Sequence, residues 1–259
     1  MKQLLVLLAA LVLGQLAFAQ QKLDGLPLNT AVSGTLEYGN KRIILPDGEW
    51  VLIASGTWFS NIGNTQRGAP MGGAWLAQTR DNQLLRLIYV LMNLEQQSFA
   101  NGWIEDPCKR GTVFAKTDWS RNPSDQYCMT VNHYVGLMSN PTGWSRQALV
   151  WFEKSKVAIP RTMVAVDFHR VTRPDLVNIR YYFNPEVDGI ASAIDRAWAT
   201  SEWQKDLIEM DPVRLAYAQD LKRWGEAMRL FVLAAIDRKK APIGASPAAP
   251  FPKDPRKLP

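Results

Sequence analysis

The sequence predicts an α+β fold: a largely antiparallel sheet built from hairpins, one short internal helix, and a C-terminal helical pair packed on the sheet. Three observations carry this. Apolar and alternating runs are punctuated by turn residues at Pro46-Asp47-Gly48, Asp81-Asn82 and Thr172-Arg173-Pro174-Asp175. Tyr217, Leu221, Trp224, Met228, Phe231 and Ala235 alternate spacings of four and three, which draws one apolar helical stripe. A composition 47% hydrophobic and 21% charged permits a sizeable core, here assigned to a single domain over residues 20–240.

The chain opens with Lys2, an apolar run from Leu4 to Leu13, and Ala17-Phe18-Ala19, the small-x-small pattern of a secretory signal peptide over residues 1–19. The apolar run is shorter than the roughly 20 residues a bilayer core requires, and no later stretch is long and apolar enough to span one. The expectation is a soluble, exported protein, periplasmic or extracellular.

Lys41 to Leu45 and Glu49 to Ser55 flank the Pro46-Asp47-Gly48 turn and read as a hairpin. Residues 55–73 are glycine-rich and polar with little apolar pattern. They read as a long loop, a length typical of binding loops and lids. A second hairpin turns at Asp81-Asn82. Its outgoing strand is apolar on both faces from Leu87 to Met92, as for a central strand covered on both sides, with a buried helix as the competing reading.

Cys108 and Cys128 are the only cysteines. In an exported chain a lone pair reads as a disulfide. A zinc site would have only His133 and His169 to complete it, at spacings that match no zinc motif, and the short spacing of a redox pair is absent. No metal site and no cofactor is assigned. The polar stretch between the cysteines offers one catalytic constellation: Ser120 or Cys128 as nucleophile, His133 as base, Asp118 or Asp125 as orienting acid. No nucleophile-elbow pattern surrounds any serine.

The stretch 144–157 fits a short helix capped by Ser145. The hairpin around Thr172 to Asp175 puts Val171 opposite Leu176. That register sets Asp167 across from Arg180 and His169 across from Asn178 on one face, with Val166, Phe168 and Ile179 on the other. Asp167, His169 and Arg180 then form either a site for a polar or anionic ligand or, as the favoured reading, a cross-strand ion pair on a solvated face. Ile190, Ile194, Ala197 and Trp198 fit one face of a helix, and Asp211 with Pro212 starts a second.

The net charge of +6 falls mainly outside the body. From Asp237 onward there are six bases against two acids, and with Lys2 removed the body from 20 to 236 stands at +1. Nucleic acid is therefore not an expected partner, since it needs a basic face on the fold. The tail at 241–259 is rich in proline and alanine, reads as disordered, and offers basic residues to an anionic surface. Ten tryptophans are the most unusual feature of composition. Trp198 and Trp224 lie on helix faces and read as core, whereas Trp58, Trp103 and Trp119 are the candidate ligand platforms, because an indole pairs an apolar face with a polar edge.

No phosphate-binding glycine motif, metal cluster or internal repeat is present. The reading that follows is an exported protein that binds an envelope component or small polar ligand without catalysis. The alternatives are an ester- or glycan-directed hydrolase using Asp118, Ser120 and His133, and a purely structural or interaction protein.

Overall fold

The computed structural model describes residues 21–62, 66–97, 107–109, 111–122, 124–193 and 197–238. The expected leader at 1–19, the tail at 241–259 and Trp103 lie outside them.

Eight strands form one sheet: β2 (Ala31–Val32), β5 (Trp50–Ile62), β6 (Gln66–Arg80), β7 (Gln83–Asn93), β11 (Leu176–Phe183), β10 (Thr162–Thr172), β9 (Asp125–Val135) and β8 (Ala115–Asn122), in that spatial order. Every pairing in it is antiparallel. It consists of two meanders, β5-β6-β7 and β8-β9-β10-β11, joined where β11 docks on β7. A smaller sheet holds β1 (Gln21–Lys22), β3 (Thr35–Tyr38) and β4 (Lys41–Ile44). The helices are α1 (Arg146–Ser155), the single turn α2 (Lys205–Ile208) and α3 (Pro212–Ile236). The fold class is α+β, as expected.

Period-two alternation divides the large sheet into two faces. The first buries Leu52, Leu76, Val90, Val166, Phe168, Ile179 and Tyr181 against α3 and the small sheet. The stripe on α3 supplies Tyr217, Leu221, Trp224, Met228 and Ala235, all buried, with Phe231 packed at its edge. Asp211 caps this helix by accepting from the backbone N–H groups of Val213 and Arg214, and Pro212 occupies the first turn. Mid-helix Gly225 has a steric reason: a Cβ there would stand 2.3 Å from Met129 Sδ and 2.6 Å from Val166 Cγ1, so its absence lets the helix settle onto the sheet. On the second face, Ala148 and Phe152 of α1 pack on Ile53, Ala54, Ala77, Leu87 and Met163, and Met71 and Leu176 are buried in a smaller cluster farther along.

Several expectations are corrected. The glycine-rich stretch at 55–73 is not a long loop: it lies largely within β5 and β6, which pair from Val51↔Ala77 to Ile62↔Gln66. The strands around Pro46-Asp47-Gly48 do not pair with each other, since β4 joins the small sheet and β5 the large one. The hairpin at Asp81-Asn82 forms, with φ of 52° and 59° at those two residues, as an I′-type turn requires. β7 is the central strand expected, not a helix, paired with β6 and β11.

The helix expected from Ile190 to Trp198 is absent over residues 190–193 and 197. Residues 190–193 and 197 have no regular structure, a 3-10 turn occupies Trp198–Thr200, and the first member of the C-terminal pair is the short α2. Trp198 is therefore not core but 38% exposed. Ser145 does not cap α1. It sits in helical conformation itself, and its hydroxyl accepts from Trp75 Nε1 at 3.1 Å.

Candidate functional site

The hairpin register read from sequence is present: Val171↔Leu176, His169↔Asn178 and Asp167↔Arg180. Its polar face is not solvated, and this overturns the favoured reading of an exposed ion pair. Asp167 is 1% exposed, His169 3% and Asn178 7%. β10 and β11 are interior strands with neighbours on both sides, and the groups that alternation assigns to a polar strip are buried there.

Burial demands partners, and Asp167 Oδ2 has three. Arg180 Nε donates at 2.6 Å, His169 Nε2 lies at 3.2 Å and Tyr134 donates its hydroxyl at 3.3 Å. Behind the imidazole, Asn178 Nδ2 donates to His169 Nδ1 at 2.8 Å. Asp167 Oδ1 is buried without a hydrogen-bond partner among the described residues. Burial by itself would raise the Asp167 carboxyl, but the adjoining His169 and Arg180 outweigh it and hold the group below the usual carboxylate range. Burial would likewise lower the Arg180 guanidinium, and the Asp167 charge reverses that.

Arg180 leads from this buried network into a cleft of about 270 Å³. The walls are rings contributed strand by strand from the second face: Trp75 on β6, Tyr89 on β7, Tyr182 on β11 and Tyr134 on β9. The guanidinium carbon of Arg180 lies 5.4 Å from the Tyr89 ring centre and 5.5 Å from that of Tyr134, within cation–π range of both. Neighbouring rings are tilted rather than parallel, with interplanar angles of 50° for Trp75–Tyr89, 35° for Trp75–Tyr182 and 73° for Tyr134–Tyr182. The segment from Leu137 to Ser145, between β9 and α1, forms the rim.

The row of rings continues beyond the cleft. Trp144 stacks on Tyr89 at 6.3 Å and 13°, and Trp58 stacks on Trp144 at 6.1 Å and 17°. Trp144 is seated by glycine: a Cβ on Gly56 would stand 2.4 Å from its Cβ, and one on Gly73 2.1 Å from its Cζ2. These two glycines pair across β5 and β6. On the opposite face, the Tyr38 hydroxyl donates to the carbonyls of Gly56 and Gly73 at 3.1 and 3.3 Å. The glycines of 55–73 therefore let two rings close on the sheet from both sides.

The other residues singled out from sequence are dispersed. Trp58 belongs to the ring row. Trp119, on β8, tilts against Tyr127 at 4.6 Å and lies under Arg229 at 4.7 Å, on the α3 face. Cys108 and Cys128 are joined in a disulfide with Cα atoms 5.9 Å apart. Their sulfurs lie close to an Asp118 oxygen, but bonded to each other they are not thiolates and do not act as metal ligands.

The catalytic constellation is not brought together. Ser120 donates its hydroxyl to the carbonyl of Asp125 and pairs with Tyr127, whereas His133 lies six residues along β9 from Tyr127, roughly 20 Å away at the ordinary strand rise. His133 points to the α3 face, stacked on Trp198 at 5.1 Å and 4°, while Asp118, opposite Cys128, points to the other. Asp125 pairs with Arg170.

Sequence reasoning missed Trp75, Tyr89, Tyr134, Trp144 and Tyr182. A one-residue irregularity in the β6–β7 pairing explains part of this. The turn sets Arg80↔Gln83 and Thr79↔Leu84, and the register then shifts to Gln78↔Arg86 and Trp75↔Tyr89. Without that bulge Trp75 would face Ile88, so counting from the turn misassigns the pair.

A larger hollow of about 420 Å³ opens beside the C-terminal end of α3. Its charged groups serve one another. Lys41 Nζ, 2% exposed, reaches Asp175 Oδ1 and the Asn93 carbonyl at 2.8 Å each and Asn40 Oδ1 at 2.7 Å, which clamps the small sheet to the turn after β10. The aromatic cleft is the candidate site.

No family model, curated protein or solved structure matches this chain.

Proposed function

We propose that this is an exported protein that binds a small polar ligand, or a small unit of an envelope component, in the aromatic cleft without transforming it. One observation carries the reading: rings from four strands converge with the guanidinium of Arg180, itself held by the buried Asp167, on a space of about 270 Å³. Concave sites with apolar walls and a few fixed polar groups are the usual form of small-ligand sites. Export is supported by the leader pattern at 1–19 and by the Cys108–Cys128 bridge, a bond that oxidising compartments form and keep. No helix among the described residues is long and apolar enough to cross a membrane.

Trp75 lines the cleft and Trp144 stacks on its Tyr89, so occupancy should register in intrinsic tryptophan fluorescence. Titration of the mature protein with a panel of envelope saccharides, peptides and small organic acids should produce a saturable change with at least one member. Tyr89→Leu should weaken it by roughly tenfold or more while the unfolding transition is retained. A flat response across the panel, or a response identical in wild type and Tyr89→Leu, would count against the cleft. Arg180 is not the residue to substitute first, because removing one member of a buried ion pair costs about 3–5 kcal/mol and would confound binding with stability.

A further inference from the structure

We infer that the ligand of this cleft is an uncharged sugar ring, presented singly or as the terminal unit of a glycan. The inference rests on the cleft being a binding site and adds its chemistry, from shape, charge and size.

Shape comes first. A parallel-walled slot would meet both faces of a flat heterocycle by offset stacking. Trp75, Tyr89, Tyr182 and Tyr134 instead meet at 35°, 50° and 73°, which makes an angular cup. A chair-shaped ring presents C–H groups in several directions and meets such a cup with more of its surface than a planar base would.

Charge narrows the class further. The guanidinium of Arg180, which lines the cleft, is already matched by a carboxylate at 2.6 Å. An anionic ligand would gain Arg180 but would also meet the field of Asp167, and the same guanidinium opposes a cation. A neutral ligand with hydroxyl oxygens can accept from the Arg180 N–H groups and leave the Asp167 pair intact. The rim adds the side chains of Asn140, Thr142 and Ser145, which both donate and accept as a polyol requires.

Size completes the argument. About 270 Å³ lies just below the roughly 300–1,000 Å³ of pockets that take drug-sized ligands, so the cleft holds one ring rather than a chain of them.

Calorimetry on the mature, disulfide-bonded protein tests this with probes matched in ring size: glucose, N-acetylglucosamine, glucuronate, adenosine and phenylalanine. Binding of glucose or N-acetylglucosamine is expected, with glucuronate weaker than glucose by roughly tenfold or more. Tyr89→Leu should abolish the sugar signal, and Tyr89→Phe, which keeps the ring, should retain most of it. If glucuronate, adenosine or phenylalanine binds more tightly than either neutral sugar and that binding is lost in Tyr89→Leu, the sugar assignment is overturned while the cleft remains a binding site. If no probe binds, or binding is indifferent to Tyr89→Leu in a variant that unfolds at the wild-type midpoint, the sugar assignment falls together with the site.

Discussion

Two groups illustrate how burial, rather than residue type, sets chemistry in this protein. Asp167 and Arg180 face each other across β10 and β11 in the register their hairpin dictates, but Asp167 is buried and Arg180 is half-buried at the cleft. A pair that would contribute under about 1 kcal/mol on a solvated face is thereby a fixed polar element of the cleft. His133 is the second case. Burial against Trp198 lowers its pKa, partly opposed by the Trp198 carbonyl and by Glu202. The folded state therefore favours the neutral imidazole, and below about pH 6.5 the unfolded chain takes up a proton that the folded chain resists. Stability should fall as pH is lowered from about 6.5 toward the depressed folded value. Denaturant midpoints measured between about pH 8 and about pH 5 should show that slope in wild type and less of it in His133→Phe, which keeps the stacking. An unchanged slope would assign the effect elsewhere. Asp167 contributes in the same direction, but in a window below about pH 3.9, since its folded pKa is depressed from a carboxylate value.

The β5–β6 hairpin shows why composition misleads about loops. Glycine clusters signal turns because glycine tolerates unusual backbone angles, yet Gly56, Gly72 and Gly73 sit in extended strands. Their function here is to be flat. A Cβ on Gly72 would stand 2.5 Å from the Tyr38 ring, and those on Gly56 and Gly73 would collide with Trp144. Gly73→Ala should therefore destabilise the protein by about 1–3 kcal/mol, as overpacking does, despite alanine's better strand behaviour. Equilibrium unfolding in urea checks this, and a neutral or stabilising effect would show that Trp144 is not seated as described. The β10–β11 hairpin was legible because a tight turn fixes pairing over neighbouring residues, and α3 because its stripe repeats over many turns. Residues 190–193 and 197 were misread as helix because four apolar residues at helical spacing are too few to outweigh tertiary context. Trp198 is used there to stack on His133, not to face a helix partner.

At the scale of the whole molecule, one sheet separates two environments. The α3 face is a continuous core, whereas the other face carries two smaller buried clusters among the described residues, and the cleft opens beside the one under α1. The disulfide ties Cys108, outside the sheet, to β9 on that second face. Replacing both cysteines with serine should cost about 3 kcal/mol in the chain-entropy account of a loop this long. The mature protein, denatured with an alkylating reagent and no reductant, should have a mass matching cleavage after Ala19 with neither cysteine alkylated. Two alkylated cysteines would remove the bridge from the account. The sequence by itself determined the α+β class, the cysteine pairing, the hairpins at Asp81-Asn82 and Thr172 to Asp175, and the capped C-terminal helix. Each rests on contacts between near neighbours, on a periodic stripe, or on the absence of any other partner. Only the tertiary structure decided the cleft. Tyr89 meets Arg180 where β7 pairs with β11, two strands about ninety residues apart from separate meanders, and a one-residue bulge turns Trp75 to face them. Nothing local encodes that junction, because its energy comes from burying both faces of a sheet that exists only once the two meanders have joined.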